Sequence, residues 1–174
     1  MTLREILMEA VSQAQTPISD PELIRYINRA LRDLTYKYDT AKIIEDQIIV
    51  CEDPHATYPL EANIGIKRVK DSCGYYFTQF KSDTNGILFK YKDIYTVSLY
   101  KDHPRISSFS DTIIINPSYH MTIAKYVAHL STKTSNSGFS ALLLKEYAED
   151  IALTNASLKK AENKHKTVFA PKFR

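Results

Sequence analysis

Residues 16–50, TPISDPELIRYINRALRDLTYKYDTAKIIEDQIIV, contain the change of pattern on which the fold turns. Ser19-Asp20-Pro21-Glu22 is a helix start: Ser19 caps with Glu22 three residues on, or Asp20 caps with Pro21 in the first helical position. From there Leu23, Ile27, Ala30, Leu31, Leu34 and Tyr38 recur at helical spacing and form one apolar face. The helix this predicts, ending near Tyr38, is about 28 Å long. After residue 41 the pattern becomes β-branched, with Ile43, Ile44, Ile48, Ile49 and Val50.

Outward from this boundary the chain reads as helix on both sides of a β-rich middle. Upstream, Leu3, Ile6, Leu7, Ala10, Val11 and Ala14 predict a helix over 2–15. Downstream, short apolar runs alternate with turn residues: Ile64 to Val69, Tyr75 to Phe80, Ile87 to Tyr91, Tyr95 to Leu99, and a final strand at Thr112–Ile115. Asn85-Gly86 is the clearest hairpin turn, between Phe80 and Phe89. Helix resumes near Ser118 with Asn116 as cap, breaks at 131–137, and runs again to about Lys164. The predicted fold class is α+β. An antiparallel four-helix frame (1–40 and 116–164) carries a β-rich insertion at 41–115 between its second and third helices. An extended C-terminal tail follows at 165–174.

The 174 residues suffice for one domain with an insertion, and the apolar share of 44% is that of an ordinary globular chain. The net charge of +3 is too small to argue for nucleic acid. Its distribution says more: residues 155–174 hold six basic groups and one acid, so the basic character belongs to the C-terminus. No run approaches the length of a membrane span, and the charged opening MTLREILMEA is unlike a signal peptide. Two cysteines without a secretory context predict free thiols in a cytosolic setting.

Candidates for chemistry are sparse. Cys51-x3-His55 with Cys73 is a weak metal spacing, because structural zinc sites pair short ligand intervals. His120 and His129 lie nine residues apart on one predicted helix, about 180° from each other, and form no common site. Ser107, Ser108 and Ser110 near His103 and Asp111 lack a glycine-framed nucleophile and read as a turn. With four glycines in the chain, no phosphate-cradling loop is present. The expectation is a protein without catalytic residues, cofactor or metal.

Two features point to partners. Arg25, Arg29 and Arg32 form a basic stripe along the second helix, which reads as a solvated helix face, as an intersubunit or partner-facing surface suited to bidentate pairing with carboxylates, or as a phosphate contact. In the tail, Val168, Phe169 and Phe173 are apolar anchors among Lys166, Lys172 and Arg174, with Pro171 stiffening the chain. A disordered terminus rarely needs two phenylalanines, so capture of the tail by a neighbouring subunit or a partner stands beside the reading as a frayed end. The twelve tyrosines and seven phenylalanines also suit contact surfaces.

The segments TLREILMEAV (2–11), ISDPELIRYINRALRDLTYKYD (18–39) and DTIIINPSYHMTIAKYVAHL (111–130) resemble phage head–tail connector proteins, the adaptor or head-completion proteins that dock beneath the portal. The resemblance covers the helical frame, some 100 residues, and is carried by helical patterning; the β insertion is larger than in the smallest adaptors. It implies a structural virion protein. Such a protein forms a ring, twelve subunits in the family, around the channel through which genomic DNA passes, contacted without sequence preference. It implies as partners the portal protein, neighbouring copies of the same chain, and a downstream neck or tail protein. The location implied is the virion neck, and the host cytoplasm during assembly. The tail residues from Lys166 to Arg174 match in position and character the family's portal-inserting segment. The alternatives are another neck or tail-completion ring protein, or a small DNA-binding protein using Arg25, Arg29, Arg32 and the tail.

Overall fold

The computed structural model describes the backbone of residues 1–167 and the side chains of residues 1–162. The fold is mixed α+β, with four α-helices and a small antiparallel β insertion. The chain divides into two compact units, one formed by Met1–Ala41 with the residues from His103 onward, the other by Lys42–Asp102.

In the helical unit, α1 (Leu3–Ala14) and α2 (Asp20–Lys37) precede the insertion, and α3 (His120–Thr132) and α4 (Ser137–Thr167) follow it. Thr2 caps α1: its hydroxyl accepts from the Glu5 N–H at 3.2 Å, and its own N–H donates to Glu5 Oε2 at 2.8 Å. Of the two predicted starts of α2, Ser19 is the cap, its hydroxyl donating to Glu22 Oε2 at 2.7 Å. Leu23, Ile27, Ala30, Leu31 and Leu34 of α2 are buried, as their spacing predicts. They share a core with Leu3, Ile6, Leu7, Tyr119, Ile123, Val127, Tyr147 and Ile151, and α3 packs against α1, α2 and α4.

Two sequence expectations are corrected in this unit. The final helix continues past Lys164 to Thr167, so the segment predicted as extended from 165 begins with helix. Thr112–Ile115 is not a strand, and the insertion's compact unit ends at Asp102 rather than at 115. Residues 103–116 instead close over the helical core through the buried Ile106 and Ile115. Several of their backbone N–H groups, at Ile106, Ser107, Ser108 and Ile114, donate to side chains in place of a neighbouring strand. Asn28 both accepts from the Ile106 N–H and donates to its carbonyl, each at 2.8 Å.

In the insertion, β1 (Ile43–Cys51), β5 (Asp93–Lys101) and β2 (Gly65–Lys70) form an antiparallel sheet with β5 central, while β3 (Phe80–Asp83) and β4 (Gly86–Phe89) form a hairpin. Phe80 pairs with Phe89, but the turn is Thr84-Asn85, and Gly86 already stands in the strand opposite Asp83. The predicted run Tyr75-Tyr76-Phe77 makes only one isolated bridge, between Lys70 and Tyr76. Alternation fixes the inner face: Ile49, Cys51, Val69, Ile87, Phe89, Tyr95, Val97 and Leu99 are buried together. The rings of Phe89 and Tyr95 stack at 3.9 Å between centroids.

Candidate interaction surfaces

The three arginines of the predicted stripe are exposed on α2. Arg25 stands 3.9 Å from Glu22, and its guanidinium lies over the Tyr26 ring at 5.0 Å from the centroid. Arg29 acts on the hydroxyl of Tyr126, which donates to Asp33 Oδ2 at 2.5 Å. The stripe therefore contains a guanidinium with local work in the α2–α3 interface. Burial raises the Tyr126 pKa, the Asp33 carboxylate raises it further, and the positive charge of Arg29 opposes both.

Tyr126 belongs to a buried tyrosine cluster that sequence reasoning assigned to interfaces. Tyr119, Tyr126 and Tyr147 are buried, and the rings of Tyr126 and Tyr147 lie 4.7 Å apart. Thr40 Oγ1 donates to Asn155 Oδ1 at 2.8 Å and lies 2.5 Å from the Tyr119 hydroxyl, which joins α4 to the end of α2. The Tyr147 hydroxyl has no hydrogen-bond partner among the described residues, and burial drives its pKa upward. A buried unpaired hydroxyl carries its desolvation cost uncompensated. Tyr147→Phe is therefore expected to raise stability by about 1 kcal/mol, whereas Tyr126→Phe lowers it by about 1–2 kcal/mol by leaving Asp33 without its donor. Urea unfolding of the two variants checks the opposite signs.

The histidines and cysteines form no reactive site among the described residues. Cys51 is buried in the β core and Cys73 is exposed, both as free thiols. Among the described residues no group of three or more His, Cys, Asp or Glu is placed to hold a metal ion. Asp111 accepts from the Ser107 N–H, the Ser107 hydroxyl and the Ser108 N–H, at 2.7, 3.0 and 3.0 Å. His103 takes the Ile114 N–H on Nε2 at 2.7 Å and has Nδ1 2.8 Å from the Pro104 carbonyl. With Nε2 accepting, Nδ1 carries the proton and donates to that carbonyl. Both nitrogens are thus occupied in holding the loop. His129 Nδ1 lies 2.8 Å from the Ser140 hydroxyl, which fixes the start of α4 on α3.

His103 and His120 give the stability a pH dependence. Burial lowers the pKa of both below the ordinary 6.5, and the N-terminal ammonium lowers that of His120 further. The unfolded chain then binds protons that the folded chain refuses. The contribution is present above about pH 6.5 and is lost as pH falls through that value toward the lower folded pKa. A lower thermal midpoint at pH 5.5 than at pH 7.5 is expected, with the difference reduced in His120→Leu.

The tail residues proposed for docking fall at the edge of this description. Lys166 lies in the last turn of α4 but its side chain is outside the described residues, as are Val168, Phe169, Pro171, Lys172, Phe173 and Arg174. No helix among the described residues is long and apolar enough to cross a membrane. The chain matches no protein-family model and no curated protein sequence.

Proposed function

We propose that the chain is a non-catalytic structural subunit of a phage neck, a head–tail adaptor that joins neighbouring copies in a ring beneath the portal. In this reading the four helices form an antiparallel frame, and residues beyond Thr167 form an extended tail that docks on the portal. The observation that carries it is α4. This unbroken helix of 31 residues runs directly into the basic, aromatic segment VFAPKFR. At 1.5 Å per residue it is a rod of about 46 Å, long enough to present its C-terminal end at a distance from the helical core.

The exposed Arg25, Arg29 and Arg32 offer fixed positive charge to an acidic neighbour. The test is co-assembly with the portal, or the neck of purified particles, imaged by cryo-electron microscopy. Several copies arranged around the channel are expected. A single copy per neck, or absence from the particle, overturns the reading. Steep salt-dependent binding of the free protein to duplex DNA favours the small DNA-binding alternative instead.

A further inference from the structure

The two edges of the three-stranded sheet differ. On β2 a bulge interrupts the register between Ile66 and Arg68, and Lys67, Arg68 and Lys70 supply charge. The Phe77 N–H also covers this edge, donating to the Val69 carbonyl at 3.0 Å. Such devices keep a sheet edge from pairing with another chain. β1 has none of them. Its nine residues pair with β5 in unbroken register and include no Pro, Lys or Arg. No backbone hydrogen bond joins its outer edge to another described residue.

The register fixes which groups that edge offers. Val69 turns its carbonyl to Phe77, and so away from β5. Its cross-strand partner Val97 therefore bonds on its other side, with Gln47 of β1. The Tyr100 carbonyl, which accepts from the Ile64 N–H, gives the same alternation. Gln47 thus faces β5, while Ile44, Asp46, Ile48 and Val50 turn their N–H and C=O groups outward. All four are exposed. A straight row of free donors and acceptors specifies an extended strand as its occupant.

The segment VFAPKFR (168–174), outside the described residues, has the chemistry this edge calls for. Residues 43–53 hold Glu45, Asp46, Glu52 and Asp53 and no Lys or Arg, whereas 163–174 hold Lys164, Lys166, Lys172 and Arg174 and no acid. The insertion's cations beside β1 stand on its β5 side: Lys101 on Glu45 at 3.1 Å, Lys42 over the Tyr100 ring, and Arg68 on Ser98 beyond β5. A basic strand arriving on the open side does not meet them. Length and proline position agree too. Antiparallel pairing of Val168 with Val50 sets Ala170 opposite Ile48, Lys172 opposite Asp46 and Arg174 opposite Ile44, seven residues against seven. Pro171, with no N–H to give, then falls opposite Gln47, where none is needed; a shift of one residue places it where one is. Phe169 falls beside Ile49, at the rim of the β core.

We propose that the open edge of β1 takes residues 168–174 of a second copy of this chain as an added antiparallel strand. α4 carries that segment away from its own helical core, since Leu158 is the last described side chain packed there, nine residues before Thr167. Two copies that exchange segments fill each other's edges, and the exchange closes a pair. A seven-residue strand covers far less than the roughly 800 Å² per partner of a stable complex, so the pairing is weak. In the adaptor reading the portal then displaces β1 as host of the segment. That displacement rests on the adaptor reading; the pairing rests on the open edge and the segment alone.

The test is amide hydrogen exchange of the full chain by NMR at rising concentration, up to several hundred micromolar, beside sedimentation. Self-association is expected, with exchange at Ile44, Asp46, Ile48 and Val50 slowed about fivefold as it proceeds, while the Gln47 amide, bonded to β5, is unaffected. Ala170→Pro removes the N–H opposite Ile48 and leaves both phenylalanines and every charge in place. It is expected to abolish association and the added protection together. Charge reversal keeps the test independent of the proline: Asp46→Lys and Lys172→Asp each weaken association about tenfold, and their equimolar mixture restores it. A wild type monomeric throughout, with the four amides exchanging freely, overturns the proposal. So do amides protected at every concentration in a monomer, the signature of a chain that holds its own segment, and association that survives Ala170→Pro. The adaptor reading is judged separately, by copies in the particle neck.

Discussion

On the adaptor reading proposed above, removing residues 168–174 is expected to abolish attachment of the protein to portal-bearing, DNA-filled heads and to leave its own fold nearly unchanged. The segment lies beyond α4, and the helical core that holds α4 is built from Tyr147, Ile151 and residues of α1, α2 and α3. Truncation therefore removes none of the described core residues. Phe169 and Phe173 would enter apolar pockets between portal subunits, each contributing about 1.5–3 kcal/mol by area transfer, less the cost of ordering the chain. Lys172 and Arg174 act on encounter rate and salt dependence more than on residence time. Replacing both phenylalanines with Ala is expected to cause most of the loss, and Lys172→Ala a smaller one. Binding of truncated protein to assembled portals, measured beside its thermal unfolding, decides the matter. Wild-type affinity after truncation returns the segment to a passive terminus.

The parts of the fold legible in the sequence are those set by local period. The buried face of α2 follows from its apolar spacing, and the alternation of β5 follows from Tyr95, Val97 and Leu99. Thr112–Ile115 was unreadable by the same means. Its β-branched residues suit a strand, yet the Ile114 N–H donates to His103 Nε2, eleven residues back, and not to a neighbouring strand. Tyrosine type alone did not reveal that Tyr119, Tyr126 and Tyr147 would be buried. The partners of two of them, Thr40 for Tyr119 and Asp33 for Tyr126, come from distant parts of the chain.

Gly86→Ala should destabilise the β insertion by about 3 kcal/mol, through two costs that add at one atom. The first is conformational: φ at Gly86 is +148°, a region that residues with a Cβ rarely adopt. The second is steric: a Cβ there would stand 2.1 Å from the carbonyl oxygen of Tyr58 and 2.8 Å from its carbonyl carbon. That oxygen accepts from the Ile87 N–H at 2.9 Å, and the Tyr58 N–H donates to the Ile87 carbonyl at 2.8 Å. Relieving the clash pulls these two bonds apart and lifts Tyr58 from Phe89, whose rings now lie 6.2 Å apart in the core. Gly74 supplies the control. Its φ of +83° is also in the left-handed half of conformational space, but a Cβ there meets nothing within 4 Å. Gly74→Ala should therefore cost only the backbone contribution, about 1 kcal/mol. Urea unfolding followed by tyrosine fluorescence separates the two cases. Equal, small losses at both positions would show that Tyr58 does not approach β4 as closely as the bridge to Ile87 requires.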